Sequence, residues 1–250
     1  MPKFLPLLLF LLPFFVSCNR YQYSTINSPQ LDKNDRNEFV FENDSLVLVY
    51  DFMGQDLGPD IFIENKLSVP VYIDWRQSAL VVAGHTYSYA PIDVDKYGDP
   101  LNNAQQAAVE LIPPRATLNR NPMQLAPDYL TTVPKSQMHR ARYTAAGVTR
   151  WVKAASFTEA TTPLRFRTYI TCTVGAIDGQ PLTFDHNFYI SDVMSTVSNP
   201  VNIFQNGNHG NQFYSSKITQ GGAVGAALLS GVLVGGYLLV EAVRIGVLPE

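Results

Sequence analysis

The sequence predicts a mainly β protein: an antiparallel, immunoglobulin-like β-sandwich followed by a C-terminal hydrophobic helix. From Asn37 onward, short apolar or alternating runs recur, and turn-forming residues separate them. Several short strands at close spacing, with turn signals between them, are typical of β-sandwiches. The chain has 13 Tyr and 14 Phe, and only 16% of its residues are charged, which suits a domain with a sizeable core.

The N-terminal segment, residues 1–17, has the composition of a secretory signal. Lys3 is its only charge, residues 4–16 are apolar, and Ser17 is small. The segment is too short to span a bilayer, because a transmembrane helix needs about 20 apolar residues.

The motif Phe15-Val16-Ser17-Cys18 resembles the lipobox of bacterial lipoproteins, in which a Leu-type residue and two small residues precede the lipidated cysteine. Phe15 departs from the usual leucine, and Bacteroidota lipoproteins have loose versions of this motif. The resemblance implies that Cys18 is acylated and that the mature chain is held at a membrane. An ordinary signal peptide, or an uncleaved N-terminal helix with Cys18 incidental, is the alternative.

A polar segment, residues 18–36, follows and is interpreted as a tether between lipid and domain. The β-sandwich domain is predicted over residues 37–200. Its first hairpin turns at Asn43-Asp44, between two apolar runs. Further strands are predicted at residues 61–64, 71–75, 80–82 and 86–89, with Trp75 in the core and Gly84 at a turn.

Residues 91–162 are predicted to form an irregular insertion in the sandwich. Pro114 to Lys135 contains several prolines, and a long loop inside a compact domain is either functional or mobile. Residues 141–157 fit either a helix or a hairpin around Gly147, and the pattern does not decide between them.

A period of two marks residues 164–174 as a half-buried strand. Cys172 lies on the apolar side of this strand and is predicted to be a small core residue rather than a reactive thiol. Asp178-Gly179 is a turn signal that leads to the next strand, residues 182–190. On that strand His186 shares a face with apolar residues, so we expect a partly buried, hydrogen-bonded histidine.

Residues 201–222, rich in Asn and Gly, are interpreted as a linker, and residues 223–247 as a transmembrane helix. Residues 223–240 carry no charge, and as a helix they would cover ~27 Å of the ~30 Å hydrocarbon layer. Gly231 and Gly235 form a small-xxx-small step that favours close helix packing in lipid. A buried core helix is the alternative, although so many glycines disfavour a helix in water.

No pattern of residues indicates a catalytic or metal centre, so we predict no enzyme activity and no cofactor. The sequence has no P-loop, G-x-S-x-G or C-x-x-C motif. Asp93, Asp95 and Asp99 resemble a loose calcium loop without its closing glutamate, and an exposed turn is the simpler interpretation. A net charge of −3 disfavours nucleic acid as a partner. The four histidines, which lack paired metal-ligand spacing, are His85, His139, His186 and His209.

Aromatic residues provide the main potential for binding. They are more numerous than a core needs, and exposed rings on a sandwich stack on sugars or anchor a protein partner. The candidate rings are Tyr87, Tyr89, Tyr97, Tyr143, Trp151 and Tyr169.

Four short motifs carry a resemblance to a family. They are Tyr72-Ile73-Asp74-Trp75 after Asn65-Lys66-Leu67 and Pro70, Ile112-Pro113-Pro114, Pro163-Leu164-Arg165-Phe166-Arg167, and Phe188-Tyr189-Ile190-Ser191. With them, residues 39–218 and the apolar tail resemble uncharacterised Bacteroidota lipoproteins that have a β-sandwich domain. The resemblance implies that fold and an envelope location, and it supplies no activity and no catalytic residues.

These features favour a membrane-anchored lipoprotein of the cell envelope with a non-catalytic interaction domain. Acylated Cys18 and the C-terminal helix would bind membrane lipid and hold the domain in the periplasm. The inner membrane is favoured, with the outer membrane or cell surface as alternatives, and the partner would be an envelope protein or a glycan. A carbohydrate-binding lipoprotein that uses exposed aromatics is a second hypothesis, and an enzyme with its site in residues 91–162 is a third.

Overall fold

The computed structural model describes residues 19–90, 108–120, 133–145, 147–205 and 207–218. The chain divides into a compact unit, Gln22–Ser215, and a second unit made of the two terminal segments, Met1–Tyr21 and Ser216–Glu250. Of the second unit, the structure describes only residues 19–21 and 216–218, which belong to strands.

The chain is mainly β, as the sequence predicts. Burial alternates along the strands, since every second residue of Leu46–Asp51 and of Asp60–Asn65 is buried. The helices among the described residues are single turns, at Trp75–Gln77, Lys135–Gln137 and Pro200–Ile203. The strands are β1 (Asn19–Asn27), β2 (Asp32–Lys33), β3 (Phe39–Glu42), β4 (Leu46–Asp51), β5 (Gly54–Gln55), β6 (Asp60–Asn65), β7 (Val71–Asp74), β8 (Ala79–Val82), β9 (His85–Ser88), β10 (Val109–Ile112), β11 (Thr117–Arg120), β12 (His139–Ala145), β13 (Val148–Ser156), β14 (Arg165–Val174), β15 (Pro181–Thr196) and β16 (Gln212–Ile218).

The strands form two sheets that pack together. The larger sheet has the order β10-β7-β14-β15-β1-β16-β5; β8 also pairs with β14 and β9, and β13 pairs with β15 and β12. The smaller sheet has the order β11-β6-β4-β3-β2. β5 pairs in parallel with β16, so the expectation of a purely antiparallel fold is wrong at this pair.

The core lies between the two sheets and contains a cluster of aromatic rings among aliphatic side chains. The ring of Phe188 on β15 lies 5.1 Å from Phe39 and 5.2 Å from Phe52, measured between centroids, and it stacks on Phe166 of β14 at 5.4 Å. Trp75 and Cys172 are both fully buried, which confirms the core positions predicted for them.

The predicted turns connect antiparallel strands. The Asn43 side chain accepts hydrogen bonds from the amides of Ser45 and Leu46, and it closes the β3–β4 hairpin. Gly84, with φ of +84°, lies in the turn from β8 to β9. The segment that contains Asp178-Gly179 joins β14 to β15.

Residues 18–36 do not form a tether where the structure describes them. β1 lies between β15 and β16 in the larger sheet, and Tyr23 and Ile26 on it are buried. The Ile26 amide donates a hydrogen bond of 2.7 Å to the carbonyl of Asn211. The polar residues of this segment suggest a tether, but Gln22 among them is buried. It is buried because β1 has a neighbouring strand on each edge.

Up to Ser215, the predicted linker, residues 201–222, is also part of the compact unit. Its last described portion is β16, which neighbours β1. Gly210 is buried beside the chain at residues 36–38, and its amide donates to the Arg36 carbonyl at 3.0 Å. A Cβ atom at Gly210 would lie 2.9 Å from the backbone nitrogen of Glu38, so glycine permits this close approach. The β domain therefore extends beyond the predicted bounds of 37–200 on both sides.

The predicted irregular insertion, residues 91–162, is regular where the structure describes it. β10 pairs with β7 and β11 pairs with β6, so the segment contributes a terminal strand to each sheet order. β12 and β13 form a hairpin around Gly147, which decides the helix-or-hairpin alternative in favour of the hairpin. Residues 91–107 and 121–132 lie outside the described ranges.

Several predicted features fall on parts of the chain that the structure does not describe. They are the signal segment 1–17, the lipidation site Cys18, and the apolar segment 223–247 with Gly231 and Gly235. Within the described ranges, no helix has the length and apolar character needed to cross a membrane.

Gly210→Ala is expected to destabilise the domain, because the added Cβ would overlap the backbone of Glu38. Overpacking of this kind costs about 1–3 kcal/mol. Gly54→Ala is the matched control, since no atom lies within 4 Å of a Cβ placed there, and its effect should stay within about 0.5 kcal/mol. Urea unfolding measures both variants, and equal losses of stability would contradict the prediction.

Candidate functional site

The hairpin of β12 and β13 combines positive charge with an exposed indole. Its strands pair from His139 opposite Ala154 to Ala145 opposite Val148, and Gly147 in the turn has φ of +74°, which glycine adopts without steric cost. In the described pairing, only residues 153–156 of β13 also pair with β15. Toward the tip, the described backbone pairing of the hairpin is between its own two strands, while Val152 on one side of it is buried.

One side of this hairpin forms a surface that we call the cationic face. The register places Arg140 opposite Lys153, Arg142 opposite Trp151, and Thr144 opposite Thr149, and opposed residues in an antiparallel pair share a face. All six side chains are exposed, and Trp151 keeps 58% of its surface open to solvent. The cationic face consists of Arg140, Arg142, Thr144, Thr149, Trp151 and Lys153.

Two guanidinium groups flank Trp151. Cζ of Arg140 lies 4.4 Å from the centroid of the indole ring, and Cζ of Arg142 lies 6.0 Å from it. An exposed cation–π contact contributes about 0.5–1 kcal/mol, so these contacts order the side chains without neutralising them. The five ion pairs of the described chain join other residues, so within that part Arg140, Arg142 and Lys153 have no carboxylate partner.

A second feature is a cleft of about 430 Å³ between β14, β15 and the β8–β9 turn. The strand register places Arg167 between Val81 and Asn187, and it places Arg165 opposite Tyr189. These side chains line the cleft, together with residues 29–30 on one side. The cleft is therefore built on two long strands whose relative position the core fixes.

Hydrogen bonds hold the polar groups around the cleft. The side-chain oxygen of Gln30 accepts from the Asn187 amide at 2.6 Å. The Arg165 guanidinium donates to the carbonyl of Glu159 at 2.6 Å, and Arg167 pairs with Asp185 at 2.8 Å. Tyr189 adds a half-buried ring. One aromatic face and several donors suit a polar ligand such as a sugar.

The aromatic residues selected from the sequence do not gather on one surface. Tyr89 is buried, and its ring contacts Trp75 at 6.2 Å. No ring contact within the described chain joins any two of Tyr87, Tyr143, Trp151 and Tyr169. Tyr97 lies outside the described residues.

Sequence reasoning selected Trp151 and missed the cations around it. Arg140, Arg142 and Lys153 recur with a period of two on either side of Gly147, and this alternation is the signal of a strand pair with one charged face. This alternation predicts a shared charged face only once residues 141–157 are known to form a hairpin, because the hairpin sets which residues lie opposite each other.

His186 is a buried link between the two sheets, which confirms the partly buried, hydrogen-bonded histidine predicted. Its Nδ1 lies 2.9 Å from the Tyr50 hydroxyl of β4 and shares a hydrogen bond with it. Burial lowers the pKa of His186, opposed by the charge of Asp185, and burial raises the pKa of Tyr50. A neutral imidazole bonded to a neutral phenol is a structural contact between sheets rather than a proton-transfer pair.

The remaining candidate chemical groups are dispersed. Burial raises the pKa of the Cys172 thiol to about 11, as expected for an inert core cysteine. Asp51 and Asp60 oppose each other on β4 and β6, and each has a raised pKa, mainly because of burial. Within the described ranges, no three His, Cys, Asp or Glu side chains are grouped to hold a metal ion. Asp93, Asp95 and Asp99 lie outside those ranges.

Comparison with family models, with curated proteins and with solved structures finds no match to this chain. The resemblance to Bacteroidota lipoproteins therefore stays a prediction from the sequence. The features of this chain that bear on its function are the cationic face, the cleft and the sequence patterns at its two ends.

The buried His186 should make the domain lose stability in mild acid. Its folded pKa lies below the unfolded value near 6.5, so the unfolded chain binds the proton more readily. The stabilisation is present above about pH 6.5 and is lost as the pH falls through the folded pKa, with a slope of at most about 1.4 kcal/mol per pH unit. In urea unfolding between pH 8 and 5, His186→Gln should flatten this slope; an unchanged slope would contradict the assignment. His85→Gln, at an exposed strand position, is the matched control.

Proposed function

We propose that this chain is a membrane-anchored lipoprotein of the cell envelope whose β domain is a non-catalytic interaction module. The observation that carries the proposal is the cationic face, where two guanidinium groups flank an exposed tryptophan and Lys153 lies on the same side of the hairpin. None of these three cations has a carboxylate partner within the described chain. Tryptophan and arginine are the residues most enriched at the energetic centres of interfaces. A surface with this composition is suited to bind an anionic partner.

The two ends of the sequence support the envelope location. The apolar leader with the motif ending at Cys18 is the feature of a lipoprotein signal, and residues 223–247 provide a second anchor. We place the domain in the periplasm and the tail in the inner membrane, where Gly231 and Gly235 would pack against a neighbouring helix. For the fold, we propose an immunoglobulin-like sandwich, supported by the two packed sheets and the buried Trp75.

A carbohydrate-binding role is the second candidate function, and the cleft is the observation that favours it. Its volume of about 430 Å³ suits a short oligosaccharide, and Tyr189 with Arg165 and Asn187 provides one ring and several polar groups. This role would use the cleft rather than the dispersed rings selected from the sequence. Both candidate roles are compatible with the same anchored protein.

Cys18→Ala should abolish acylation and leave an unprocessed precursor. The chain has only one other cysteine, Cys172, so Cys172→Ala is a control that should keep the lipid. Metabolic labelling with palmitate, followed by membrane fractionation, measures both variants. Unchanged labelling of the Cys18→Ala variant would refute the lipoprotein assignment.

Tyr189→Ala should weaken binding of oligosaccharides at least about tenfold if the cleft is a sugar site, because a stacking ring is lost. Tyr169→Ala is the matched control, since Tyr169 lies on the neighbouring strand and does not line the cleft. A glycan array identifies the ligand, and titration calorimetry measures the two variants. Equal affinities of both variants for that ligand would exclude the cleft as its site.

A further inference from the structure

We propose that the cationic face and the tip of the β12–β13 hairpin dock onto a bilayer surface that contains anionic phospholipids. The inference rests on the proposed membrane location and names the occupant of the same surface. It concerns the headgroup layer of the membrane, not a protein or a soluble glycan.

The charge of the hairpin is the first argument. Arg140, Arg142 and Lys153 point to one side without carboxylate partners in the described chain, although the whole protein has a net charge of −3. Positive charge is thus concentrated locally against the overall sign. Basic clusters are attracted to the negative potential of anionic lipids within about one Debye length.

The order of residue types along the hairpin is the second argument. The tip carries Ala145 and Val148, and Val148 is 51% exposed. Behind it come the Thr144–Thr149 pair, the Tyr143–Arg150 pair, then Trp151 with Arg142, and then Arg140 with Lys153. Val148 and Arg150 lie on the side of the hairpin opposite the cationic face, so both sides of the tip are involved. An apolar end followed by aromatic and basic residues is the order met on passing from acyl chains to headgroups.

The dimensions of the hairpin agree with such a docked position. From Val148 to Trp151 the strand rises about 10 Å, at about 3.3 Å per residue. Interfacial protein segments bury their apolar side about 5–10 Å into the boundary between headgroups and acyl chains. With the tip at that depth, the indole and the guanidinium groups would lie at the level of the phosphates.

Other anionic partners fit the hairpin less well. A nucleic acid would need a larger basic surface than the three cations of the cationic face. An anionic polysaccharide would use the cations and the indole but would leave the exposed apolar tip without a role. The polysaccharide therefore enters as an outcome of the experiment below.

Trp151 allows a direct measurement in the full chain. The sequence has two tryptophans, and Trp75 is fully buried, so lipid contact changes the fluorescence of Trp151 alone. The acylated full-length protein would be reconstituted into vesicles of phosphatidylcholine or of an equal mixture with phosphatidylglycerol, each containing a lipid with a headgroup spin label as quencher. We expect quenching in the anionic vesicles and little in the neutral ones, and we expect ~1 M salt to reduce it because the Debye length shrinks to about 3 Å.

Variants identify the groups responsible. Arg140→Gln combined with Arg142→Gln should reduce the anionic-vesicle quenching about tenfold, since both guanidinium charges are lost. Trp151→Phe should remove the signal without disturbing a buried contact. Arg115→Gln is the control, because Arg115 is an exposed arginine outside the hairpin and without an ion pair, and it should leave the quenching unchanged.

Flotation of the same vesicles separates this inference from the proposed anchor. A protein that floats with both kinds of vesicle but shows no quenching of Trp151 keeps the anchor and overturns the hairpin inference. Flotation with anionic vesicles alone, lost in the double arginine variant, supports membrane docking by the hairpin and contradicts the proposed anchors.

Equal quenching in neutral and anionic vesicles overturns the role of charge. A response of Trp151 to soluble polygalacturonate but not to anionic vesicles overturns the lipid in favour of an anionic glycan.

Discussion

The packing of Phe188 against rings from both sheets is the contact on which the rest of the structure depends. Phe39 approaches it from the smaller sheet and Phe52 from the segment that follows β4, and Phe166 stacks on it within the larger sheet, with planes only 12° apart. Truncation of a buried phenylalanine to alanine typically costs 3–5 kcal/mol, which is comparable to the whole stability of many domains. This cluster sets the position of β14 and β15, and those strands build the cleft and hold the base of the cationic hairpin.

Several polar groups that enter the apolar interior are hydrogen-bonded, whereas the buried hydroxyls of Tyr89 and Thr168 have no partner among the described residues. The indole of Trp75 donates to Glu110 at 2.7 Å, and Arg120 of the smaller sheet donates to the same carboxylate at 2.9 Å. The side-chain amide of Asn65, fully buried, donates to the carbonyls of Val69 and Pro113. An unpaired buried polar group would cost about 1–3 kcal/mol, so these bonds also specify how the sheets are aligned.

β14 was predictable because its residues alternate between apolar and polar, and β4 because it is an apolar run beside a turn-forming Asn-Asp pair. β1 and β16 were not, since their polar residues resemble a tether and a linker, and their partners lie far away along the chain. The cationic face was half predictable. Trp151 could be selected as a candidate binding residue from the sequence alone. The proximity of Arg140 and Lys153 could not, because it depends on the hairpin register, which the sequence does not determine.

The place of β1 in the larger sheet sets the order in which the domain can fold. Its neighbours are β15 and β16, so a strand near residue 20 cannot be enclosed until residues near 215 are available. Contacts so distant in sequence close a large loop, and they slow folding relative to local hairpins. If the chain is exported as proposed, the first β-strand to emerge waits until almost the whole domain has followed it, with its edges open to chaperones or to a wrong partner. The larger sheet is therefore complete only after β16, the last described strand, has been made and has paired with β1.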